Sequence, residues 1–224
     1  MSGSVIEFIS GSADDARPVL SEAFRYMGCK SGNADDELLA LVKQCEKELM
    51  KCISPVCCYL YSDIRFISES EVDLGFGAVK SRELSKHLSG CRGAFLFAAT
   101  IGIGADRLIA KYSRISPAKS VIIDSLGSSA AESWCDHAES IITAGIDKHC
   151  SRFSPGYGDL SLSHQTDFMR VLNMNRKLGI TLSDSLLMTP TKSVTAIIGI
   201  GADNRTCGGK CAACGNISCI YRNE

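Results

Sequence analysis

Residues 118–144 carry the longest helical pattern in the chain. Ile123, Leu126, Ala130, Trp134, His137 and Ile141 recur at steps of three and four, a spacing that predicts one long helix with a single apolar face. Gly127, Ser128, Ser129, Ala130 and Ala131 thin one stretch of it, so a neighbour can pack close there. Ser128, Glu132, Asp136 and Glu139 form the opposite, polar stripe. A helix of this kind needs an apolar surface to lie on. The runs Val56–Ile67 and Ala94–Thr100 supply strands: the first is rich in aromatic and β-branched residues, the second continuously apolar and suited to the centre of a sheet.

The remaining elements intersperse helices and strands without strict alternation. Residues 1–12 are small and polar and read as poorly ordered, or as a short strand at Val5–Ile9, and 13–27 reads as a helix stopped by Gly28. Asp35 is placed to cap a helix that carries Leu38, Leu41, Val42, Cys45 and Leu49 on one side. Ser54-Pro55 ends it. Glu71–Val79 pairs with the strand before it, and a short helix covers 82–88. Gly102 and Gly104 turn the chain into a helix through Asp106, Leu108, Ile109 and Tyr112. A helix over 165–177 closes at Gly179, followed by strands 180–188 and 193–200 joined at Thr189-Pro190. Such an order argues an α+β fold with a largely antiparallel sheet and packed helices. It divides into an N-terminal helical region, 1–55, a core, 56–202, and a cysteine-rich tail, 203–224.

Length and composition bound the function. A chain of 224 residues is long enough for a substantial core. A net charge of −1 gives no basic field for nucleic acid or anionic lipid. The longest uncharged apolar run, Gly93–Ala105, is too short to span a bilayer. The N-terminus has no basic segment leading into an apolar one, which makes the cytoplasm the expected location. Of the 12 cysteines, eight are scattered: Cys29, Cys45, Cys52, Cys57, Cys58, Cys91, Cys135 and Cys150. Most of these are expected to be small buried hydrophobes.

The stretch Arg152-Phe153-Ser154-Pro155-Gly156-Tyr157-Gly158-Asp159 is a stiff, turning loop. Pro155 pushes Ser154 into an extended conformation, and Gly156 and Gly158 allow backbone angles or a close ligand approach that a side chain would block. An arginine at one end and an aromatic ring at the other suit a ligand with a carboxylate and a flat or cationic part. The same residues also describe an ordinary Pro-Gly turn whose arginine pairs with a surface carboxylate.

Several pieces occur in an order that resembles a known family: Ala99-Thr100-Ile101-Gly102, Asp106-Arg107-Leu108-Ile109, Leu126-Gly127-Ser128, Ala131-Glu132, Arg152 to Asp159 and Pro190-Thr191-Lys192-Ser193-Val194-Thr195. Together, over roughly residues 55 to 202, they resemble the activation domain of cobalamin-dependent methionine synthase, and more closely its short stand-alone members. The resemblance implies a curved antiparallel sheet with helices around it. It implies that Arg152, Ser154, Gly156 and Tyr157 bind S-adenosylmethionine. Arg152 would pair with the methionyl carboxylate and Ser154 would offer backbone contacts. Gly156 would let the ligand lie against the chain, and Tyr157 would pack beside the sulfonium or adenosyl part. Glu132 matches a family glutamate that binds the amino group or shifts as the domain docks; its place on the polar stripe alone makes it a solvated residue. The family aromatic residue of the last strand is missing, since Ala196-Ile197-Ile198-Gly199 stand there. Asp73 and Asp106 are the possible counterparts of a family acidic residue, with Asp106-Arg107 open as a structural ion pair.

Cys207, Cys211, Cys214 and Cys219 place four thiols within 13 residues. Four thiolates can hold an iron–sulfur cluster or a structural zinc, and the core resemblance explains neither. His137 falls on the apolar side of its helix and reads as a core histidine. No residue is assigned a catalytic role as acid or base. The implied function is reductive reactivation of a corrinoid methyltransferase in methionine biosynthesis, as an accessory subunit acting in trans. S-adenosylmethionine would donate a methyl group to cobalamin carried by a partner, a methionine synthase or another corrinoid protein. A flavodoxin- or ferredoxin-type donor, or the tail cluster, would supply the electron. Two other readings remain: a non-catalytic module that binds S-adenosylmethionine or a corrinoid protein, and an iron–sulfur electron-transfer protein.

Overall fold

In the computed structural model, residues 5–29 and 34–201 are described. The chain opens with β1 (Glu7–Ser10) and a 3-10 turn at Asp14–Ala16 before α1 (Leu20–Tyr26). The single helix expected over 13–27 is broken because Pro18 drives Arg17 into an extended conformation, φ −62° and ψ 126°. In α2 (Asp36–Met50) the Asp35 carboxylate accepts the Leu38 N–H at 2.8 Å, as its sequence position predicts. The strand expected over 56–67 divides. Its first part, β2 (Val56–Asp63), pairs along its length until Asp63 meets Gly93. Beyond that point the neighbouring strand is exhausted, and β3 (Arg65–Ser68) pairs with β4 (Glu71–Asp73), which pairs with β5 (Ala78–Lys80).

Next come α3 (Arg82–His87), β6 (Gly93–Thr100), α4 (Gly104–Ile115) and α5 (Pro117–Ile142). Past the loop, the expected helix over 165–177 is two: α6 (Gln165–Val171) and α7 (Met174–Leu178), separated by Asn173 in a left-handed conformation, φ 49°. Residues 180–188 form no long strand. β7 (Thr181–Leu182) and β8 (Met188–Thr189) flank a turn in which the Ser183 hydroxyl accepts the Leu187 N–H at 3.0 Å. Serine side chains that bond nearby backbone compete with a ladder. The last strand is β9 (Ser193–Ile200).

The main sheet has the order β1-β2-β6-β9 and is antiparallel throughout. Successive strand side chains point to opposite faces, and both faces are covered. On one, Cys57, Phe97, Ala99, Ala196 and Ile198 pack with Val42, Leu49, Leu126, Ala130 and Trp134 of the helices. On the other, Cys58, Leu60, Leu96, Ala98 and Ile197 pack with Val72, Leu84, Phe168, Leu172 and Met174. The fold is α+β with antiparallel sheets and packed helices, as expected. Residues 7–50 contribute β1, α1 and α2 to it.

The buried face of α5 runs through Ile123, Leu126, Ala130, Trp134, Ala138 and Ile142. The Trp134 indole N–H donates to the Val56 carbonyl at 3.0 Å. His137 is half-buried rather than a core residue: its ring stacks on Trp134 with centroids 5.8 Å apart, and Nε2 lies 3.7 Å from Asp15 Oδ1. A helix of 3.6 residues per turn drifts off a strict three-and-four pattern, which leaves His137 and Ile141 at the edge of the apolar face. The thin stretch does admit close neighbours. Ser129 accepts the Val19 N–H at 2.9 Å and donates to its carbonyl at 3.0 Å, while the Lys192 side chain packs over Gly127. Six of the eight scattered cysteines are buried; burial pushes the Cys57 and Cys58 thiols up to about 12, so they behave as apolar groups.

Candidate functional site

After α5, the chain runs back along the free edge of β9. The Cys150 N–H donates to Gly199 O at 2.7 Å, and Phe153 and Ile197 exchange backbone bonds of 2.9 and 2.8 Å. This short pairing fixes the backbone on either side of Arg152. The turn that follows closes on itself: Tyr157 N–H donates to Ser154 O at 3.0 Å, Leu160 N–H to Tyr157 O at 2.9 Å, and Gly156 N–H to Leu160 O at 2.8 Å. Gly156 has φ 93° and Gly158 φ 53°, the left-handed region that glycine enters without steric cost. A Cβ on Gly158 would also run into the Glu83 carboxylate.

Two tethers hold this loop to α3. Asp159 accepts the Arg82 and Glu83 N–H groups at 2.8 and 3.2 Å and also the Ser81 hydroxyl. Ser81 itself accepts the Leu84 N–H at 2.9 Å. Together they satisfy the first donors of the helix. The Ser81 hydroxyl, then these N–H groups, hold the Asp159 carboxyl below its usual range. At the other end of α3, His87 Nε2 lies 2.8 Å from Ser151 O, and its ring sits 5.1 Å from that of Phe153. Burial lowers the His87 pKa, only partly opposed by that bond. The ring is therefore neutral near pH 7 and donates to Ser151.

Arg152 turns inward to α5. Its side chain is 3% exposed and is held by three carboxylates on successive turns of one helix face. Nη1 donates to Glu139, while Nη2 donates to Asp136 at 2.6 Å and to Glu132 at 3.1 Å. Burial works against the charge, but Cys135, Glu139 and Asp136 outweigh it and raise the Arg152 pKa. His149 Nε2 stands 3.8 Å from the other oxygen of Glu139. The polar stripe of α5 is thus the wall against which the loop is built, with Glu132 and Glu139 partly covered and Asp136 still exposed. Tyr157 lies at the loop tip, 49% exposed, edge-on to Phe153 at 5.9 Å. Tyr26 at the end of α1 belongs to the same neighbourhood. Burial, then the Glu132 and Glu22 charges, raise its phenol, and Tyr157 adds to the shift.

Arg152, Ser154, Gly156 and Tyr157 therefore share one loop, and Glu132 reaches it from α5. Sequence reasoning placed Asp159 in the loop but missed Asp136, Glu139 and His87 as parts of the same assembly. The signal available for the first two was the repeat of carboxylates at steps of four and three along the stripe. Asp73 and Asp106 lie in other structural contacts. Asp73 pairs with Arg65 at 2.9 Å, and Asp106 accepts the Thr191 N–H at 2.9 Å together with the Thr191 hydroxyl. Ala196, Ile197 and Ile198 are core residues of β9. An open cavity of about 470 Å³, lined by Phe66, Ser68, Glu69, Ser85, Lys86, Ser89 and Gly90, lies beside α3 and not over Arg152.

Cys207, Cys211, Cys214 and Cys219 lie outside the described residues. Among the described residues, no group of three or more His, Cys, Asp or Glu could hold a metal ion. No helix among them is long and apolar enough to cross a membrane.

Among solved structures, the chain is similar to a crystal structure of the MetH reactivation domain bound to AdoHcy. The TM-score is 0.69 at 13% identity, covering 90% of this chain and 80% of that one. The chain has the fold of that domain. No family model matches it, and no curated protein matches it.

Proposed function

We propose that the Arg152 loop binds S-adenosylmethionine and its demethylated product, and that the chain acts in trans to reactivate a corrinoid methyltransferase of methionine biosynthesis. The observation that carries this reading is the Arg152 side chain, 3% exposed and backed by the α5 carboxylates, in a fold also found in a domain crystallised with AdoHcy. A planar guanidinium offers parallel donors to a carboxylate. Three acids gathered around one guanidinium suit a ligand that also brings an ammonium and a sulfonium. Arg152 would hold the carboxylate, Glu132 the amino group, and Tyr157 the sulfonium or adenosyl part. Ser154 and Gly156 would let the ligand lie along the backbone.

The partner's corrinoid would supply the nucleophile that takes the methyl group. The ligand's carbon–sulfur bond would break with its electron pair left on sulfur, and the methyl group would pass to that nucleophile. This chain contributes position rather than acid–base chemistry. The electron that prepares the cobalt would come from a flavodoxin- or ferredoxin-type donor, or from an iron–sulfur cluster on Cys207, Cys211, Cys214 and Cys219. A structural zinc is the other candidate for those thiols. The test is a cobalt-methylation assay with a corrinoid partner and a low-potential reductant. Formation of S-adenosylhomocysteine that depends on this chain supports the reading, and its absence at saturating partner counts against it.

A second reading is a binding module without turnover. The burial of Ala196, Ile197 and Ile198 in the sheet favours it, because β9 then offers the ligand no ring. Ligand binding with no methyl transfer to cobalt would select it.

A further inference from the structure

The three carboxylates on Arg152 are not equivalent. Glu139, on Nη1, has a side chain only 15% exposed. Glu132, 31% exposed, and Asp136, 68% exposed, share Nη2. Asp136 makes the shorter of the two Nη2 contacts, 2.6 Å against 3.1 Å. The Arg152 side chain is 3% exposed, so a carboxylate arriving from solvent cannot simply join the cluster. It meets Asp136 first, already seated on Nη2.

We infer that Asp136 is the chain's own placeholder for the ligand carboxylate, displaced from Arg152 when ligand binds, while Glu139 stays and keeps the guanidinium aimed. This rests on reading the Arg152 loop as the S-adenosylmethionine site. The exchange is like for like: one carboxylate leaves the Nη2 donor and another takes it. Asp136 is exposed enough to be hydrated where it goes, so its release costs little desolvation. Glu139 would give up a charge-assisted bond in a nearly buried position, which is expensive. Displacement therefore proceeds through Asp136. Affinity for any ligand carrying a carboxylate is then set against the Asp136–Arg152 pair. A ligand without one gains nothing from removing that pair, because only differential contacts shift an equilibrium.

The test is calorimetric titration of wild type, Asp136→Asn and Glu139→Gln with S-adenosylhomocysteine and with 5′-methylthioadenosine, which lacks the amino-acid end. Asp136→Asn, a change on an exposed side chain, should bind S-adenosylhomocysteine about three- to tenfold more tightly than wild type, the scale of one exposed charge-assisted contact. Its affinity for 5′-methylthioadenosine should be unchanged. Glu139→Gln should bind S-adenosylhomocysteine more weakly. Unchanged or weaker S-adenosylhomocysteine binding by Asp136→Asn, with wild type binding normally, overturns the placeholder role alone. An equal gain for both ligands also overturns it, since 5′-methylthioadenosine has no carboxylate to compete for Arg152. If neither wild type nor Asp136→Asn binds S-adenosylhomocysteine, alone or with a docked corrinoid protein, the ligand-site reading falls and takes the inference with it.

Discussion

Asp159 accepts the Arg82 backbone N–H at 2.8 Å, so the end of the Arg152 loop is also a cap of a helix 77 positions earlier in the chain. Replacing Asp159 with alanine should cost about 1 kcal/mol, the usual scale of a lost helix cap. The pH dependence has a definite sign. A carboxyl whose folded pKa is depressed stabilises the fold above its unfolded value of about 3.9, and that stability is lost as pH falls through the folded pKa. The gap between wild type and Asp159→Ala should be full at pH 6 and shrink below about pH 4. Urea unfolding at several pH values measures it; a gap that grows in acid would contradict the capping role.

His87 gives a second step, in a different window. Burial lowers its pKa, so the unfolded chain takes up a proton near pH 6.5 that the folded chain refuses. Wild-type stability should therefore decline as pH drops below about 6.5 and level off once the folded pKa is passed. His87→Gln should lack that decline. Unfolding midpoints between pH 5 and 8 decide it, and parallel pH profiles for the two proteins would remove His87 from the account.

Gly158 holds φ 53° with Glu83 packed where a Cβ would sit. Gly158→Ala should cost about 1 kcal/mol from the left-handed backbone, which lowers Tm by about 2–4 °C in a chain of this size. Glu83 is exposed and can swing away, so the variant should still fold. Weakened S-adenosylhomocysteine binding beyond that modest destabilisation would tie the strain to the proposed ligand contact. An unaltered Tm would show that the turn relaxes without cost.

The pattern of these residues shows what a sequence exposes and what it hides. The apolar stripe of α5, the Asp35 cap and the strand at 94–100 are local signals, and each became an element near its expected place. Pro18 and the serine-rich turn at 183–187 are local too, and each interrupts the longer apolar pattern in which it lies. The partners of Arg152 were harder to find. Asp136 and Glu139 look like solvated residues on a polar stripe until 149–153 pairs with β9 and turns the arginine inward. That pairing is a contact between segments more than 40 positions apart, and nothing in either segment alone announces it.

The tail cysteines make a separate prediction. Anaerobically purified protein should carry metal on Cys207, Cys211, Cys214 and Cys219. Iron with acid-labile sulfide and visible absorbance marks a cluster, and a colourless protein with stoichiometric zinc marks a structural site. Cys211→Ser and Cys214→Ser should each lose most of it. Metal-free wild-type protein would leave the tail with no such role.

The central claim is that Arg152 belongs to a ligand site, and calorimetric titration of wild type and Arg152→Lys with S-adenosylmethionine, alone and with a docked corrinoid protein, tests it most directly. Lysine keeps the positive charge within the α5 acids but lacks the planar fork, which limits the effect on folding. The account predicts micromolar-range binding by wild type and a loss of at least about tenfold in Arg152→Lys. Equal binding by the two proteins, or no binding by wild type even with the corrinoid protein present, would contradict it.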